Sequence, residues 1–219
     1  MNIVRRIATL LLLLPALVLT QSACAADAPL TAKYKAGEHY EVLSNPARTL
    51  DANKIEVMEV FWYGCSHCYA IEPLIAKWQE TIADDVIFAK TPAVWRDFMR
   101  FHANIYYTAE AFKLPRAFHN EIFALLAASP KLTNQDRFAE IFAKYGVSKE
   151  DFAKKVNSFG IISKVSRGEK RARKNYLIQG TPEIIVNGKY RLSARMAGSQ
   201  AGMFDVVNYL IELERNNNN

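Results

Sequence analysis

The sequence contains little cysteine and histidine, and its one unbroken apolar segment lies at the beginning. Three of the 219 residues are cysteine and four are histidine. A zinc site built on two cysteines needs two further ligands, and His39, His102 and His119 show no paired spacing that would supply them. We therefore predict that the protein holds no metal.

Residues 1–25 have the pattern of a secretory signal. Arg5 and Arg6 precede an apolar stretch over residues 10–19, and small residues follow it. This stretch is shorter than the roughly 20 residues that cross a bilayer, and no later segment approaches that length. The pattern predicts cleavage after Ala25, because small residues stand at the required positions before that bond.

Cleavage at this point would remove one cysteine, Cys24, together with the signal. A lipidated first residue at Cys24 is the less favoured alternative, because Gln21 stands where lipoprotein signals normally carry an aliphatic residue. About 194 residues would remain, enough for one sizeable core or for a core with a subdomain.

The charge balance excludes one class of partner. The formal net charge of +6 falls to +4 when Arg5 and Arg6 leave, because residues 1–25 contain no acidic side chain. This surplus is too small to indicate nucleic-acid binding. The basic run GEKRARK over residues 168–174 is interpreted as a solvated helix face.

Cys65 and Cys68 are then the remaining cysteines, in the segment FWYGCSHCYAIEP over residues 61–73. Three readings are open for them: a structural staple, half of a metal site or a reactive pair. A disulfide across so short a loop removes little entropy from the unfolded chain, because that gain grows with loop length. The spacing therefore favours the reactive pair.

The segments around the cysteines predict a β-α-β unit. Strand-forming residues over 39–43 and 55–63 are separated by turn residues. Residues 69–81 carry apolar side chains at helical spacing, and residues 86–94 predict a third strand. A strand, a helix and a strand in this order imply a right-handed parallel crossover.

The chain from Trp95 to about Asn157 predicts several short helices. Pro115 marks a helix start, Thr133 and Ser148 are candidate N-caps with an acid three residues later, and Gly146 is a stop signal.

Three aromatic residues, Trp62, Tyr63 and Trp95, either form an apolar platform for substrates or belong to the core.

The last third of the chain predicts a helix, a hairpin and a closing helix. A helix is expected over residues 161–177, and EIIV and YRLS flank the hairpin signal Asn187-Gly188. Residues 202–214 form an amphipathic pattern. The predicted organisation has five parts: a signal over 1–25, a first α/β part over 26–94, a helical insertion over 95–157, a second α/β part over 158–215 and a polar tail over 216–219.

The position of the two cysteines assigns them different roles. If a helix begins at about Cys65, the unpaired N–H groups and positive dipole end of that helix favour a thiolate there, which makes Cys65 the candidate nucleophile. Cys68, one turn later, is the candidate resolving thiol. His67 lies between them and, when protonated, would add positive charge beside the sulfur.

These features together resemble the DsbA family of periplasmic thiol oxidases. The resemblance rests on Cys65, His67 and Cys68 at a helix start, on the helical insertion, and on Thr181-Pro182 before a hairpin. It implies an α/β thioredoxin fold with an inserted helical domain. Ser66 departs from the proline most often found at that place in the family, which leaves the strength of the oxidant open.

The resemblance also implies roles outside the CxxC motif. It implies that Pro182 follows a cis peptide bond and lies against the cysteines, so that Thr181, together with Ser66, contacts an extended substrate segment. It places Glu59 beneath the cysteines and pairs it with Lys90 on the next strand. Such a pair could relay the proton that Cys68 gains or loses during exchange.

The implied function is that of a monomeric periplasmic dithiol oxidase acting on newly exported proteins without an organic cofactor. A membrane quinone-linked enzyme of the DsbB type would restore its disulfide. The alternatives are a disulfide isomerase or reductase and a chaperone or metal carrier on the same fold. An isomerase usually carries a separate dimerisation domain, for which about a dozen residues before the first strand leave no room.

Overall fold

The computed structural model describes residues 33–217. The predicted signal over residues 1–25, its cleavage site and Cys24 lie outside the described residues. Within the described range, no helix combines the length and the apolar character needed to cross a bilayer.

Five strands form one mixed sheet in the order β1-β5-β4-β2-β3. Their bounds are Glu41–Val42, Ile55–Phe61, Val86–Pro92, Glu183–Val186 and Tyr190–Ser193 for β1 to β5. β2 and β3 are parallel and are connected by helix α1, Ser66–Gln79, whereas the other neighbouring strands are antiparallel. The parallel register sets Glu59 beside Lys90.

The strand predictions were correct in place and too long at their ends. β1 covers two residues of the predicted 39–43, and β2 ends at Phe61 rather than at residue 63. The chain leaves the sheet at Trp62, whose carbonyl accepts the N–H of Cys65 at 3.0 Å. This turn brings the first cysteine to the start of α1.

Five helices lie between β3 and β4, and the first four of them form the helical insertion. These four are α2, Asp97–Ala111; α3, Arg116–Ala128; α4, Gln135–Lys144; and α5, Lys149–Val156. Ser148 caps α5 as predicted, with its hydroxyl accepting the N–H of Asp151 at 3.0 Å. The predicted cap at Thr133 was wrong by one residue, because the Asn134 side chain accepts the N–H of Arg137 instead.

The helix predicted over residues 161–177 is divided into two parts. Helix α6 covers Phe159–Lys170, and a π-helical turn follows over Arg171–Asn175. The wider turn places Ala172 and Tyr176 in the protein interior, where the Tyr176 hydroxyl contacts Glu56 Oε1 at 3.4 Å. Packing inside the molecule therefore overrides the simple helical period here.

The predicted hairpin joins β4 and β5. Asn187 and Gly188 both have positive φ angles, 49° and 65°, as a tight hairpin turn requires. A short helix α7, Ala194–Ala197, leads to α8, Gln200–Asn217. Helix α8 starts before the predicted residue 202 and continues into the segment predicted as a polar tail.

Two large apolar clusters contain most of the buried core residues. One cluster joins the sheet to α1 and α8 through residues such as Val57, Ile71 and Leu210. The other lies among α2 to α5 and reaches the end of β2 at Phe61 and Tyr63; it includes Cys68. The second cysteine is therefore packed against the core of the helical insertion, and burial of apolar area is the main stabilising term on both sides.

Candidate active site

The two cysteines lie at the N-terminus of α1 in different environments. Cys65 is the N-cap residue, with extended φ and ψ of −93° and 114°, and it is partly exposed. Cys68 lies in the first turn of the helix and is fully buried. Both are present as free thiols, so the structure represents the reduced state.

The surroundings lower the pKa of the first thiol. A hydrogen bond from the Cys68 thiol contributes most, the backbone N–H groups of Cys68 and His67 also contribute, and together they outweigh partial burial to lower the pKa of Cys65 to about 5. The end of a 14-residue helix favours the same charge state. Cys65 is therefore a thiolate at neutral pH.

The second thiol is perturbed in the opposite direction. Burial, followed by its hydrogen bond to Cys65 and the negative charge of Glu59, raises the pKa of Cys68 well above its ordinary value. Cys68 thus remains protonated where Cys65 is ionised. This division corresponds to a nucleophile and a resolving thiol.

The predicted site residues around the motif have contrasting exposures. The side chains of Ser66 and His67 are exposed, and the contribution of His67 to the Cys65 thiolate comes from its backbone N–H. The His67 carbonyl accepts the amide N–H of Gln200 at 2.7 Å, which connects the start of α8 to the motif. No sequence pattern indicated this contact.

The loop before β4 reaches the first cysteine. The peptide bond between Thr181 and Pro182 is cis, Pro182 is buried, and the Thr181 carbonyl lies 3.3 Å from Cys65 Sγ, where it accepts a hydrogen bond when the thiol is protonated. A part of the chain 116 residues away in sequence therefore forms one wall of the site.

This loop is held by an acid that the sequence analysis did not select. Glu183 Oε1 accepts the backbone N–H groups of Gln179 and Gly180, both at 3.2 Å, and its Oε2 lies 3.8 Å from Arg191 Nε. Glu183 therefore fixes the segment that ends at Thr181. An acid opening the apolar strand EIIV directly after Thr-Pro was the available signal.

A buried charge cluster lies beneath the cysteines. Glu59 on β2 is completely buried, and Lys90 Nζ on β3 lies 2.9 Å from its Oε2. Burial raises the pKa of Glu59 to about 7, although the charge of Lys90 opposes this rise. Burial disfavours the charged form of Lys90, but the charges of Glu59 and Glu72 outweigh it and raise the Lys90 pKa.

Glu72 is a third member of this cluster and was missed by the sequence analysis. It is buried on α1 and accepts a hydrogen bond from Lys90 Nζ. The available signal was its spacing, because Glu72 follows Cys68 by four residues and therefore lies on the same helix face. Lys90 therefore pairs with two buried carboxylates, those of Glu59 and Glu72.

The aromatic residues near the motif have mixed environments. Tyr63 belongs to the core, and its hydroxyl is hydrogen-bonded to His119. Trp62 is half-buried and donates its indole N–H to His102 Nδ1 at 3.0 Å, whereas Trp95 is 39% exposed.

Across residues 33–217, no cluster of side chains has the composition of a metal site.

Comparison with known proteins gives consistent matches over most of the chain. A family model described as a DSBA-like thioredoxin domain matches residues 86–206. The thiol:disulfide interchange protein DsbA of Pseudomonas aeruginosa is 38% identical over 183 residues, which cover 83% of this chain and 86% of that protein. The protein of the same name from Azotobacter vinelandii is 37% identical over 185 residues, 84% and 86% of the two chains.

Solved structures agree with these matches. The crystal structure of Pseudomonas aeruginosa DsbA has a TM-score of 0.79 at 36% identity, covering 84% of this chain and 96% of that chain. The oxidoreductase DsbA from Xylella fastidiosa has a TM-score of 0.76 at 26% identity over 83% and 98% of the chains. The expected thioredoxin-type α/β fold is confirmed, and the chain belongs to the DsbA family of thiol:disulfide oxidoreductases.

Proposed function

We propose that the protein is a periplasmic dithiol oxidase that transfers the Cys65–Cys68 disulfide to cysteine pairs of newly exported proteins. The observation that carries this proposal is the opposite perturbation of the two thiols: Cys65 is an ionised, partly exposed thiol and Cys68 a buried, protonated one. Stabilising one thiolate stabilises the reduced pair, which makes its disulfide a stronger oxidant.

The first step is attack of a substrate thiolate on Cys65 Sγ of the oxidised pair. A bond forms between the substrate sulfur and Cys65, the bond between Cys65 and Cys68 breaks, and Cys68 leaves with the electron pair. Because Cys68 is buried and has a raised pKa, the departing sulfur requires a proton. Exposure of Cys65 and burial of Cys68 direct the attack to the first sulfur.

The second step releases the product. A second substrate thiolate attacks the substrate sulfur of the mixed disulfide, the substrate disulfide forms, and Cys65 leaves as a thiolate. Its pKa of about 5 makes it a good leaving group. Two electrons have then moved from the substrate dithiol to Cys65 and Cys68.

The buried cluster supplies the proton for the first step. Glu59 has a pKa near neutrality, and its charge acts on Cys68. Lys90 connects Glu59 to Glu72, so that a proton lost by one carboxyl can be replaced through the other. We assign Glu59, Lys90 and Glu72 to this relay.

Substrate binding involves the loop opposite the motif. The backbone of Thr181 pairs with an extended substrate segment, Pro182 shapes the loop, and the exposed Ser66 contacts the substrate beside Cys65. The exposed His67 side chain lies in the motif between the two cysteines, and we assign it to stabilising the Cys65 thiolate. The protein acts as a monomer, and a membrane quinone-linked enzyme of the DsbB type reoxidises it without an organic cofactor bound to this chain.

The test is disulfide transfer to a reduced peptide that contains two cysteines. Oxidised protein is expected to form about one peptide disulfide per molecule, and Cys68→Ser, loaded at Cys65 with a peptide carrying a single cysteine, to keep that mixed disulfide until a thiol is added. Cys65→Ser is the matched control and should transfer nothing. If the dithiol form instead reduces an oxidised peptide while the disulfide form is inert, the proposal is contradicted.

A further inference from the structure

A cavity of about 660 Å³ lies along the edge strand β3, between that strand and helices α1, α2, α3 and α6. Its volume falls in the range of small-molecule sites, roughly 300–1,000 Å³. Neither Cys65 nor Cys68 lines it. The two thiols therefore lie outside the cavity, whereas Glu72 and Lys90 of the proposed proton relay form part of its wall.

One part of the cavity wall is apolar. Phe61 and Phe88 from the sheet, together with Leu114 and Phe123 from the helical insertion, line this part. Aromatic side chains of this kind provide a large contact area for an apolar body. This wall alone would accept many ligands and does not specify one.

The α6 wall of the cavity is cationic. Lys164, Arg167 and Arg171 recur at intervals of three and four residues and all line it. Within residues 33–217, no carboxylate lies within 4.0 Å of Lys164 or Arg167, whereas Arg171 has Glu56 at 3.9 Å. Two of the three positive charges therefore have no anionic partner among the described residues.

Two hydroxyl groups lie beside these cations. Thr91 Oγ1 and Tyr107 OH are 3.1 Å apart, and a Cβ atom at residue 168 would lie only 2.8 Å and 2.6 Å from them. Glycine at position 168 thus allows α6 to approach both hydroxyls closely. Burial raises the pKa of Tyr107, and the nearby charges of Arg171 and Arg167 oppose that rise.

We propose that this cavity binds a small organic monoanion, with its acid group among Lys164, Arg167 and the Thr91 and Tyr107 hydroxyls and its apolar body against Phe61 and Phe88. Charge-assisted hydrogen bonds from a guanidinium and from hydroxyls suit a carboxylate. Glu72 and Glu110 line the cavity on its α1 and α2 walls, so we expect the acid group of the ligand on the α6 side, where Lys164 and Arg167 lie.

The test is a titration of the isotopically labelled full chain with 4-phenylbutanoate, followed by backbone amide chemical shifts. We expect the largest shifts at Thr91, Tyr107 and Gly168. The uncharged 4-phenylbutanamide should bind about tenfold more weakly, since it loses the charge of the acid group. Inorganic phosphate should also bind about tenfold more weakly, because it lacks an apolar body.

Variants on α6 provide matched controls. Arg167→Gln should weaken binding of 4-phenylbutanoate about tenfold, whereas Lys170→Gln, an exposed basic residue that does not line the cavity, should leave it unchanged. Both variants should retain disulfide transfer, which separates this proposal from the proposed oxidase function. Equal binding of the amide, equal binding of phosphate, an unaffected Arg167→Gln or shifts confined to another surface would each overturn the proposal.

Discussion

The reduced protein is expected to resist urea better than the oxidised protein at pH 8, and this order should reverse at pH 5. The pKa of Cys65 is about 5 in the folded protein, below the ordinary value of an unfolded thiol. A group with a lowered folded pKa stabilises the folded state fully above its unfolded pKa and loses that contribution as the pH falls through its folded pKa.

The sizes of two opposing effects determine the pH of the reversal. Because Cys65 is partly exposed, solvent screening reduces the effect of its ionisation, which we expect to stabilise the reduced fold by about 3 kcal/mol at pH 8 and by well under 1 kcal/mol at pH 5. The disulfide closes a very short loop and stabilises the oxidised fold by about 2 kcal/mol at any pH. The reduced form should therefore be about 1 kcal/mol more stable at pH 8.

The measurement is a set of urea melts of both redox forms between pH 5 and pH 8. A more stable oxidised form at pH 8 would contradict the assignment of Cys65 as a stabilised thiolate. His67→Ala removes the imidazole and keeps the backbone N–H, and we expect it to lower the stability of the reduced form relative to the oxidised form. A more negative reduction potential in this variant would show independently that the imidazole stabilises the reduced form.

Lys90→Met is expected to destabilise the oxidised protein by about 3–5 kcal/mol at pH 8. The substitution leaves Glu59, which is fully buried, and Glu72 without their shared cation. Burial raises the pKa of Glu59 to about 7 even with Lys90 present, and removal of Lys90 raises it further, so the carboxyl is protonated at pH 5. Because protonation removes the unpaired charge, the loss should be smaller at pH 5.

The measurement compares urea melts of the oxidised wild type and Lys90→Met at pH 5 and pH 8. The double variant Lys90→Met with Glu59→Gln is the matched control, because it removes one buried charge and keeps the shape of the side chain. It should recover part of the lost stability at pH 8. A loss below about 1 kcal/mol at pH 8, or no recovery in the double variant, would show that the cluster is not an electrostatic unit.

The parts of the site that follow from short-range patterns could be predicted from the sequence. An apolar strand followed by two cysteines and a helical period predicted that Cys65 begins a helix, and it is the N-cap of α1. Asn187-Gly188 predicted a hairpin because both residues tolerate positive φ angles, and the structure has that turn. These features depend on local conformational preferences.

The residues that were missed depend on contacts between distant parts of the chain. Glu72 has the sequence environment of an exposed helical residue, and it is buried because Lys90 on a neighbouring strand pairs with it. The role of Glu183 depends on the loop before it, because its carboxylate accepts backbone N–H groups from Gln179 and Gly180 only when that loop is folded. The resemblance to the DsbA family paired Glu59 with Lys90, and their adjacent register agrees with that pairing.

The errors in helix boundaries have the same origin. Thr133 and Asn134 are both good capping residues, and the sequence does not show which side chain will face the free N–H groups. The π-helical turn at Arg171–Asn175 places Ala172 and Tyr176 inside the protein, which the helical period alone does not predict. In both cases the packing of neighbouring elements decides between locally similar alternatives.

We propose that Cys65 and Cys68 act as an oxidant, and the equilibrium of this pair with glutathione measures its oxidising strength. The protein is incubated at pH 7 in glutathione mixtures, the free thiols are trapped by alkylation, and the reduced fraction is measured by mass. At a poise of about −200 mV, where structural disulfides with potentials below about −300 mV stay oxidised, we expect the pair to be mainly reduced. If the pair remains a disulfide at this poise, it is not a strong oxidant and the proposed oxidase function is wrong.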